Sequence, residues 1–306
     1  MGTFLSIEVF HPGRERAKQT IDLAFNEVRR IEGLLSRFKE GSQIFNLNNL
    51  AHNRPIAVDE EIFLLIADCL KFSEKSSGAF DITVAPLIDL WIKAQKEDSS
   101  PSQEELRILL SNIGYKNIVL DEIRKTIFFK TLFLKLDFGA AGKGYALDRA
   151  VNILKENDIK KANLDFGGQL YYFDQTDSEA KSFGIRNPLQ PDEVMVSLPL
   201  KNKSISTSAN YERSFKVKNR LHGHLINPLT GYPAENGILS VSIISDCAVV
   251  ADIFSTAVFI LGLDAGMGLT KDIDNLESVI IALNYGKSEL HVSERLKEVV
   301  QVYNYY

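Results

Sequence analysis

Strand-like segments in this chain come in clusters instead of alternating one-for-one with helices, an order that disfavours a doubly wound parallel sheet. Thr3–Phe10 alternates apolar and polar residues as a half-buried strand does, and His11-Pro12-Gly13 ends it as a turn. Glu15–Leu35 then carries Ala17, Ile21, Ala24, Val28, Ile31, Leu34 and Leu35 at helical spacing. SRFKEGSQIFNLNN reads as a polar loop with two aromatics, and Asp59–Ser73 as a second helix capped by Asp59. SSGAFDITVAPLIDLW is a loop with a short extended or helical segment, and Ser100-Pro101 before Glu104 and Glu105 marks another helix start. Three strands follow at Ile118–Leu120, Thr126–Phe129 and Phe133–Asp137, then a helix over Tyr145–Asn157. The remainder places strands at Ala162–Leu164, Leu170–Phe173, Val194–Leu198, Leu239–Ile244 and Val279–Leu283, with one strong helix at Ala251–Leu261. The expected fold is α+β with mixed or antiparallel sheets. With no low-complexity linker and no obvious repeat, residues 1–306 read as one continuous two-lobed domain.

Composition narrows the function classes. A net charge of −5 with acids and bases interspersed leaves no basic footprint for nucleic acid and no polybasic patch for a membrane. The longest apolar run, Ser255–Leu263, is far too short to span a bilayer. Cys69 and Cys247 are too few for a disulfide framework or a cysteine-built zinc site, and both are expected in the core. MGTFLS formally fits an N-myristoylation pattern, but the strand pattern from Thr3 argues against it. No signal peptide is visible, so the chain as written reads as cytoplasmic unless an export segment was removed.

Four constellations carry possible chemistry. In LDFGAAGKGYALD, Leu136–Asp148, three glycines and Lys143 sit at a strand–turn–helix junction, where free N–H groups and the positive helix end suit an anion. It is neither a Walker A loop, since Gly144 stands where Ser or Thr would hold magnesium, nor G-x-G-x-x-G, since Leu147 replaces the third glycine. A phosphate site and a plain tight turn both remain open. Asp252 and Thr256, four apart on one helix face, suit a hard cation such as magnesium, or else a helix cap and a packed hydroxyl. HGHLINPLTGYP holds His222 and His224 in a turn-rich loop, as a general base or as structural histidines. Phe38 and Phe80, in SRFKEGSQ and SSGAFD, either clamp a flat ring or end loops in the core.

Taken in order, these segments resemble one family. MGT, S-R-F…S-x-I…LN, SSGAFD…PL…LW, LDFGAAGKGYALD, Gly167-Gly168, GIRNP, TSANYER, HLINPLTGYP and ADIFSTAVFILG are similar to the FAD:protein FMN transferases, the ApbE-type proteins once described as thiamine-biosynthesis lipoproteins. The resemblance runs from Met1 to about Val300. It implies an α+β fold with a flavin-nucleotide cleft between lobes, and magnesium-dependent transfer of FMN from FAD to a Thr or Ser hydroxyl of an acceptor flavoprotein, releasing AMP. Alternatives are hydrolysis of FAD to FMN and AMP, and FAD binding without chemistry. By position, the resemblance implies Asp252, Thr256 and the Gly142 carbonyl as magnesium ligands, and Met1, Phe38, Ala79, Phe80, Asp81, Lys143 and Tyr145 as FAD-binding residues. His224 takes the place of the histidine proposed to activate the acceptor hydroxyl, in a D-x-x-(S/T)-G-A-(S/T) type segment. The chain's own SSGAF ends in Phe80 where such a target needs a hydroxyl. Three positions depart from the pattern: Asn227 stands for Asp in H-x-x-D-P, Asn210 for an acidic residue in the TSGDYE-like segment, and Phe38 for Tyr.

Overall fold

The computed structural model describes residues 2–210 and 214–303; Met1 and residues 211–213 of TSANYER lie outside the described residues. The first half of the chain forms β1 (Leu5–Val9), α1 (Arg14–Leu35), α2 (Gln43–Leu50), β2 (Ile56–Ala57), α3 (Glu60–Lys75), α4 (Ala85–Glu97) and α5 (Gln103–Leu110). It continues through β3 (Ile118–Asp121), β4 (Thr126–Phe129), α6 (Gly142–Glu156), β5 (Lys161–Phe166), β6 (Gln169–Asp174), β7 (Lys181–Asn187), β8 (Gln190–Leu200) and β9 (Lys203–Ala209). Then come β10 (Ser214–Val217), β11 (Arg220–Gly223), β12 (Ile238–Ser245), α7 (Ala248–Leu261), α8 (Leu263–Lys271), β13 (Glu277–Asn284), β14 (Lys287–Val292) and β15 (Gln301–Val302). The expected α+β class holds: every sheet pairing between strands is antiparallel.

The chain divides into two compact units, each made of separated segments. One comprises Met1–Ile31, Ala141–Ala209 and Asn236–Tyr306; the other comprises Glu32–Ala140 and Asn210–Glu235. The first is built on a seven-stranded sheet in the order β1-β5-β6-β9-β12-β13-β14, with a three-stranded sheet β15-β8-β7. Tyr172, Phe183, Ile185, Val196, Leu198 and Ile281 share one core cluster there. Ala248 and Ala251–Ile260 of α7 are all buried, as expected of a helix apolar nearly all round. The second unit holds the sheet β2-β4-β3 and the hairpin β10-β11. Its core gathers Leu87 and Trp91 of α4 with Leu106, Ile113, Val217 and Ile226.

Several local expectations change. SRFKEGSQIFNLNN is not all loop, because Ser42 accepts the Phe45 N–H at 2.9 Å and starts α2, which buries Ile44, Leu47 and Asn48. Asp59 precedes α3 without capping it; its carboxylate instead receives Gln43 Nε2. The helix start near Ser100 falls at Ser102, which closes a capping box with Glu105. Phe133–Asp137 belongs to none of the described sheets: Lys135 forms an isolated parallel bridge with Val84, the Asp137 N–H donates to the Ile82 carbonyl at 2.8 Å, and the Asn48 carboxamide takes the Leu136 N–H at 2.7 Å and donates to its carbonyl at 3.0 Å. Cys69 is buried as expected, but Cys247, at the corner before α7, is exposed.

The junction of α6 and α7 organises the first unit. Helix α6 begins at Gly142, three residues before its expected start, so Gly142-Lys143-Gly144 form its first turn. Neither helix is capped by its own N-cap residue, Ala141 or Cys247. Each is capped by the other. Asp252 of α7 accepts the Gly144 N–H at 3.0 Å, while Asp148 of α6 accepts the N–H groups of Ala248 and Val249 at 2.7 and 2.9 Å. Carboxylates placed at helix starts satisfy orphan donors and the macrodipole together. The approach is close enough that a Cβ at Gly144 would overlap the Ala248 carbonyl and lie 2.6 Å from Val249 Cα.

Gly144→Ala forces backbone apart and should cost about 3 kcal/mol, lowering Tm by roughly 6 °C or more. Gly268→Ala in α8, where nothing lies within 4 Å of the new methyl, should be neutral or slightly stabilising by the same thermal-melt assay. Burial pushes the Asp148 carboxyl up to about 6 from 3.8, against the two backbone N–H groups and Lys155 that favour its charged form, with Asp252 pushing the same way as burial. The folded state therefore holds this proton more tightly than the unfolded one. The stabilisation is present below about pH 4 and lost as pH rises through about 6, amounting to about 3 kcal/mol. Urea melts from pH 4 to 7 should show wild type losing about that much relative to Asp148→Asn; parallel profiles would contradict the assignment.

Candidate active site

Asp252 sits on the fifth residue of α7, one turn past Ala248, and is 3 % exposed. The helix-cap alternative for it is half right, since it caps a helix, but the neighbouring one. Its Oδ1 accepts Lys143 Nζ at 2.9 Å while its Oδ2 takes the Gly144 N–H. A lysine and a glycine next to each other on one helix thus hold the two oxygens of one buried carboxylate. Thr256, one turn further on, is also buried, and its Oγ1 lies 3.4 Å from Ser208 Oγ. Ser208 in turn lies 2.9 Å from Ser255 Oγ, and Ser206 Oγ stands 3.5 Å from Asp252 Oδ1. The Asp252–Thr256 face of α7 is therefore met by a row of β9 hydroxyls.

This donor set fits a magnesium ion. It is all oxygen, with one carboxylate, hydroxyls and backbone, which is what a hard cation takes. The described residues contain no group of three or more His, Cys, Asp or Glu side chains placed to hold a metal. One carboxylate with water and substrate phosphates is a normal magnesium arrangement, so the shortage of acids is compatible with the ion. A cationic group already stands on Asp252 Oδ1, the Lys143 ammonium. Gly142, as the first residue of α6, commits one carbonyl lone pair to the helix and retains another. Gln169, 2 % exposed, donates Nε2 to the Ala248 carbonyl at 2.7 Å, and its Oε1 is buried without a partner. Tyr145 is half-buried in the same first turn of α6.

The other unit carries the remaining candidates. Ala79, Phe80 and Asp81 are all buried. Asp81 accepts the Thr83 and Tyr115 N–H groups, both at 2.8 Å, so its carboxylate fixes the loop; burial raises its pKa, opposed by these hydrogen bonds. The two aromatics part company. Phe80 is a core ring at 3 % exposure, as the loop-end reading has it, whereas Phe38 is 75 % exposed. The Arg37 guanidinium lies 4.4 Å from the Phe38 ring centroid and is ion-paired to Asp89 at 2.9 Å and Asp137 at 2.6 Å. Phe38 is thus an open aromatic face backed by an anchored cation.

The two histidines separate as well. His222 is buried, stacked on Phe215 at 5.6 Å and tilted against Trp91 at 5.3 Å, with Nδ1 3.2 Å from Glu235 Oε1. It is a core histidine. His224, just past the end of β11, is exposed. Asn227 keeps the geometry of the loop beyond it: its Oδ1 accepts the Leu229 N–H at 2.8 Å and its carbonyl the Gly231 N–H at 2.8 Å. A carboxylate would supply the same oxygen, so the departure removes charge and keeps the turn. Asn210 donates to the Ala234 carbonyl at 3.3 Å and lies against Gly223 where a Cβ would overlap it. An aspartate there has no hydrogen to donate to that carbonyl, while the Asn210 Oδ1 is itself buried without a partner.

Asp148, Gln169, Ser206 and Ser208 were not singled out from sequence. Asp148 had a signal, lying four residues after Gly144 on the same helix face. The alternating serines of KSISTSA had one too, a polar stripe at strand period.

Comparison with known proteins agrees with this architecture. Residues 1–280 match the model of the ApbE family. The FAD:protein FMN transferase of Buchnera aphidicola subsp. Schizaphis graminum is 30% identical over 268 residues, covering 86% of this chain and 78% of that protein. That of Klebsiella pneumoniae (strain 342) is 28% identical over 261 residues, covering 85% and 81%. Among solved structures, the ApbE protein of Thermotoga maritima superposes with a TM-score of 0.87 at 30% identity, covering 97% of this chain and 96% of its own. The flavin transferase ApbE of Vibrio cholerae shares the fold, with a TM-score of 0.82 at 22% identity over 98% and 96% of the two chains. With a buried carboxylate at a helix–helix junction, a hydroxyl face beside it and a family match over most of its length, this chain belongs to the ApbE family.

Proposed function

We propose that this protein is an FAD:protein FMN transferase that moves FMN from FAD to a Thr or Ser hydroxyl of an acceptor flavoprotein and releases AMP, with magnesium required. The observation that carries this reading is the buried Asp252 at the first turn of α6, surrounded by oxygen donors and a lysine, in a chain of this family. Both units are read as one functional domain, because each is assembled from separated chain segments.

The chemistry asks for three things. The acceptor oxygen attacks the FMN-side phosphorus, the bridging P–O bond breaks toward AMP, and the hydroxyl proton must leave. His224, exposed and just past the end of β11, is assigned as the base that takes this proton, since a threonine hydroxyl does not ionise at neutral pH. Asp252, Thr256 and the Gly142 carbonyl would hold magnesium, which when bound neutralises pyrophosphate charge and stabilises the leaving group. Lys143 and the N–H groups opening α6 add positive potential for phosphate. Phe38 offers its open face to the flavin, and the loop bearing Ala79, Phe80 and Asp81 is assigned to the adenine side. The acceptor is expected to present a D-x-x-(S/T)-G-A-(S/T) type segment.

Pure protein incubated with FAD, magnesium and such an acceptor should raise the acceptor mass by one FMN. FMN and AMP appearing without acceptor modification would instead identify an FAD diphosphatase, and unchanged FAD a carrier. His224→Ala should slow transfer at least about 100-fold while FAD affinity stays nearly unchanged; transfer near the wild-type rate would remove the base assignment. Asp252→Ala should abolish the response of transfer to magnesium, and an unaltered metal titration would remove the metal assignment.

A further inference from the structure

Asp252 already has a cation on it. Lys143 Nζ stands 2.9 Å from Oδ1, its side chain 27% exposed against 5% for the aspartate, while the Gly144 N–H holds Oδ2. A divalent cation taking this carboxylate meets an ammonium within a few Å, in a site largely shielded from water. The repulsion between ammonium and metal is strong there, and it is this charge, not a shortage of lone pairs on Oδ1, that makes the two compete. Lysine is suited to give way, being a point charge on a flexible four-carbon stem, whereas Gly144 is fixed by the backbone contact with α7.

We propose that Lys143 is a displaceable counter-ion: it neutralises Asp252 while no metal is bound, and yields the carboxylate to a divalent cation. The displaced ammonium then stands free at the first turn of α6, where the helix end already favours anions, and serves the pyrophosphate of a dinucleotide. Cation binding and dinucleotide binding are thereby coupled through one side chain, and by linkage the coupling is reciprocal. This rests on the reading of Asp252 as the metal carboxylate and adds to it a role for Lys143 in two successive places.

The test uses the full chain and two probes, Mn²⁺ alone by calorimetry and FAD by its fluorescence. Lys143→Met should bind Mn²⁺ at least about fivefold more tightly than wild type in the absence of nucleotide, because nothing competes for Oδ1. With saturating Mn²⁺ it should bind FAD at least about fivefold more weakly than wild type, a larger loss than in the absence of metal, where Asp252 already holds the wild-type ammonium. Since Lys143→Met leaves a buried carboxylate short of a partner, Lys143→Arg is the second variant. Its planar fork grips the carboxylate and should weaken Mn²⁺ binding below wild type. Mn²⁺ affinity unchanged or lower in Lys143→Met, with Lys143→Arg equal to wild type, overturns the proposal and leaves the metal site standing. Mn²⁺ binding that Asp252→Asn fails to diminish overturns both the proposal and the metal reading beneath it.

Discussion

Two helices that cap each other hold this site together. Asp148 serves the start of α7 and Asp252 serves the start of α6, with Gly144 letting the backbones meet. Both carboxylates are removed from water, which is costly for charged groups unless donors compensate. Backbone N–H groups at two helix starts do so in part, and at Asp148 burial outweighs them. The arrangement places Lys143, Gly142, Asp252 and Thr256 within one small region of a single unit, and fixes their backbones by packing and not by a flexible loop. It also concentrates negative charge: burial and the Asp252 charge push Asp148 up to about 6. The fold therefore carries an electrostatic cost at this junction.

The class of fold was legible because strand signals cluster, and the long elements α1, α3 and α7 declare themselves by period and length. Short elements did not. Helix α2 has one turn of apolar residues among asparagines, and its start depends on a single Ser42 hydrogen bond. Phe133–Asp137 looks like a strand because it is extended and half apolar, yet it meets only an isolated bridge at Val84 and the Asn48 side chain, partners that no local pattern reveals. On the site, Asp252 and Thr256 were legible as a pair at helical spacing. What lay opposite them was not: the hydroxyls of Ser206 and Ser208 arrive from β9 through sheet register, a long-range property.

The second unit divides buried from exposed positions among residues of the same type. His222 is locked between Phe215 and Trp91, while His224, two residues on, is open to solvent. A strand explains the difference, since β11 places His222 on the inner face and ends before His224. Phe80 and Phe38 split in the same way, one in the core and one exposed over Arg37. The turn beyond His224 survives the exchange of an acid for Asn227 because backbone N–H groups ask only for an oxygen at that position. Its Gly231 carbonyl is tied to Trp91 Nε1 at 2.7 Å, so the loop is pinned to α4 from the far side.

Asp252 builds the α6–α7 junction, and under the proposed function the same carboxylate would carry the metal. Anomalous diffraction from crystals grown with Mn²⁺ and FAD tests it most directly. The account predicts a manganese peak within coordination distance of Asp252 and Thr256 Oγ1, Gly144 still donating to the carboxylate, and Lys143 Nζ moved off Oδ1. A peak elsewhere, or no peak with Lys143 still paired to Asp252, would contradict it.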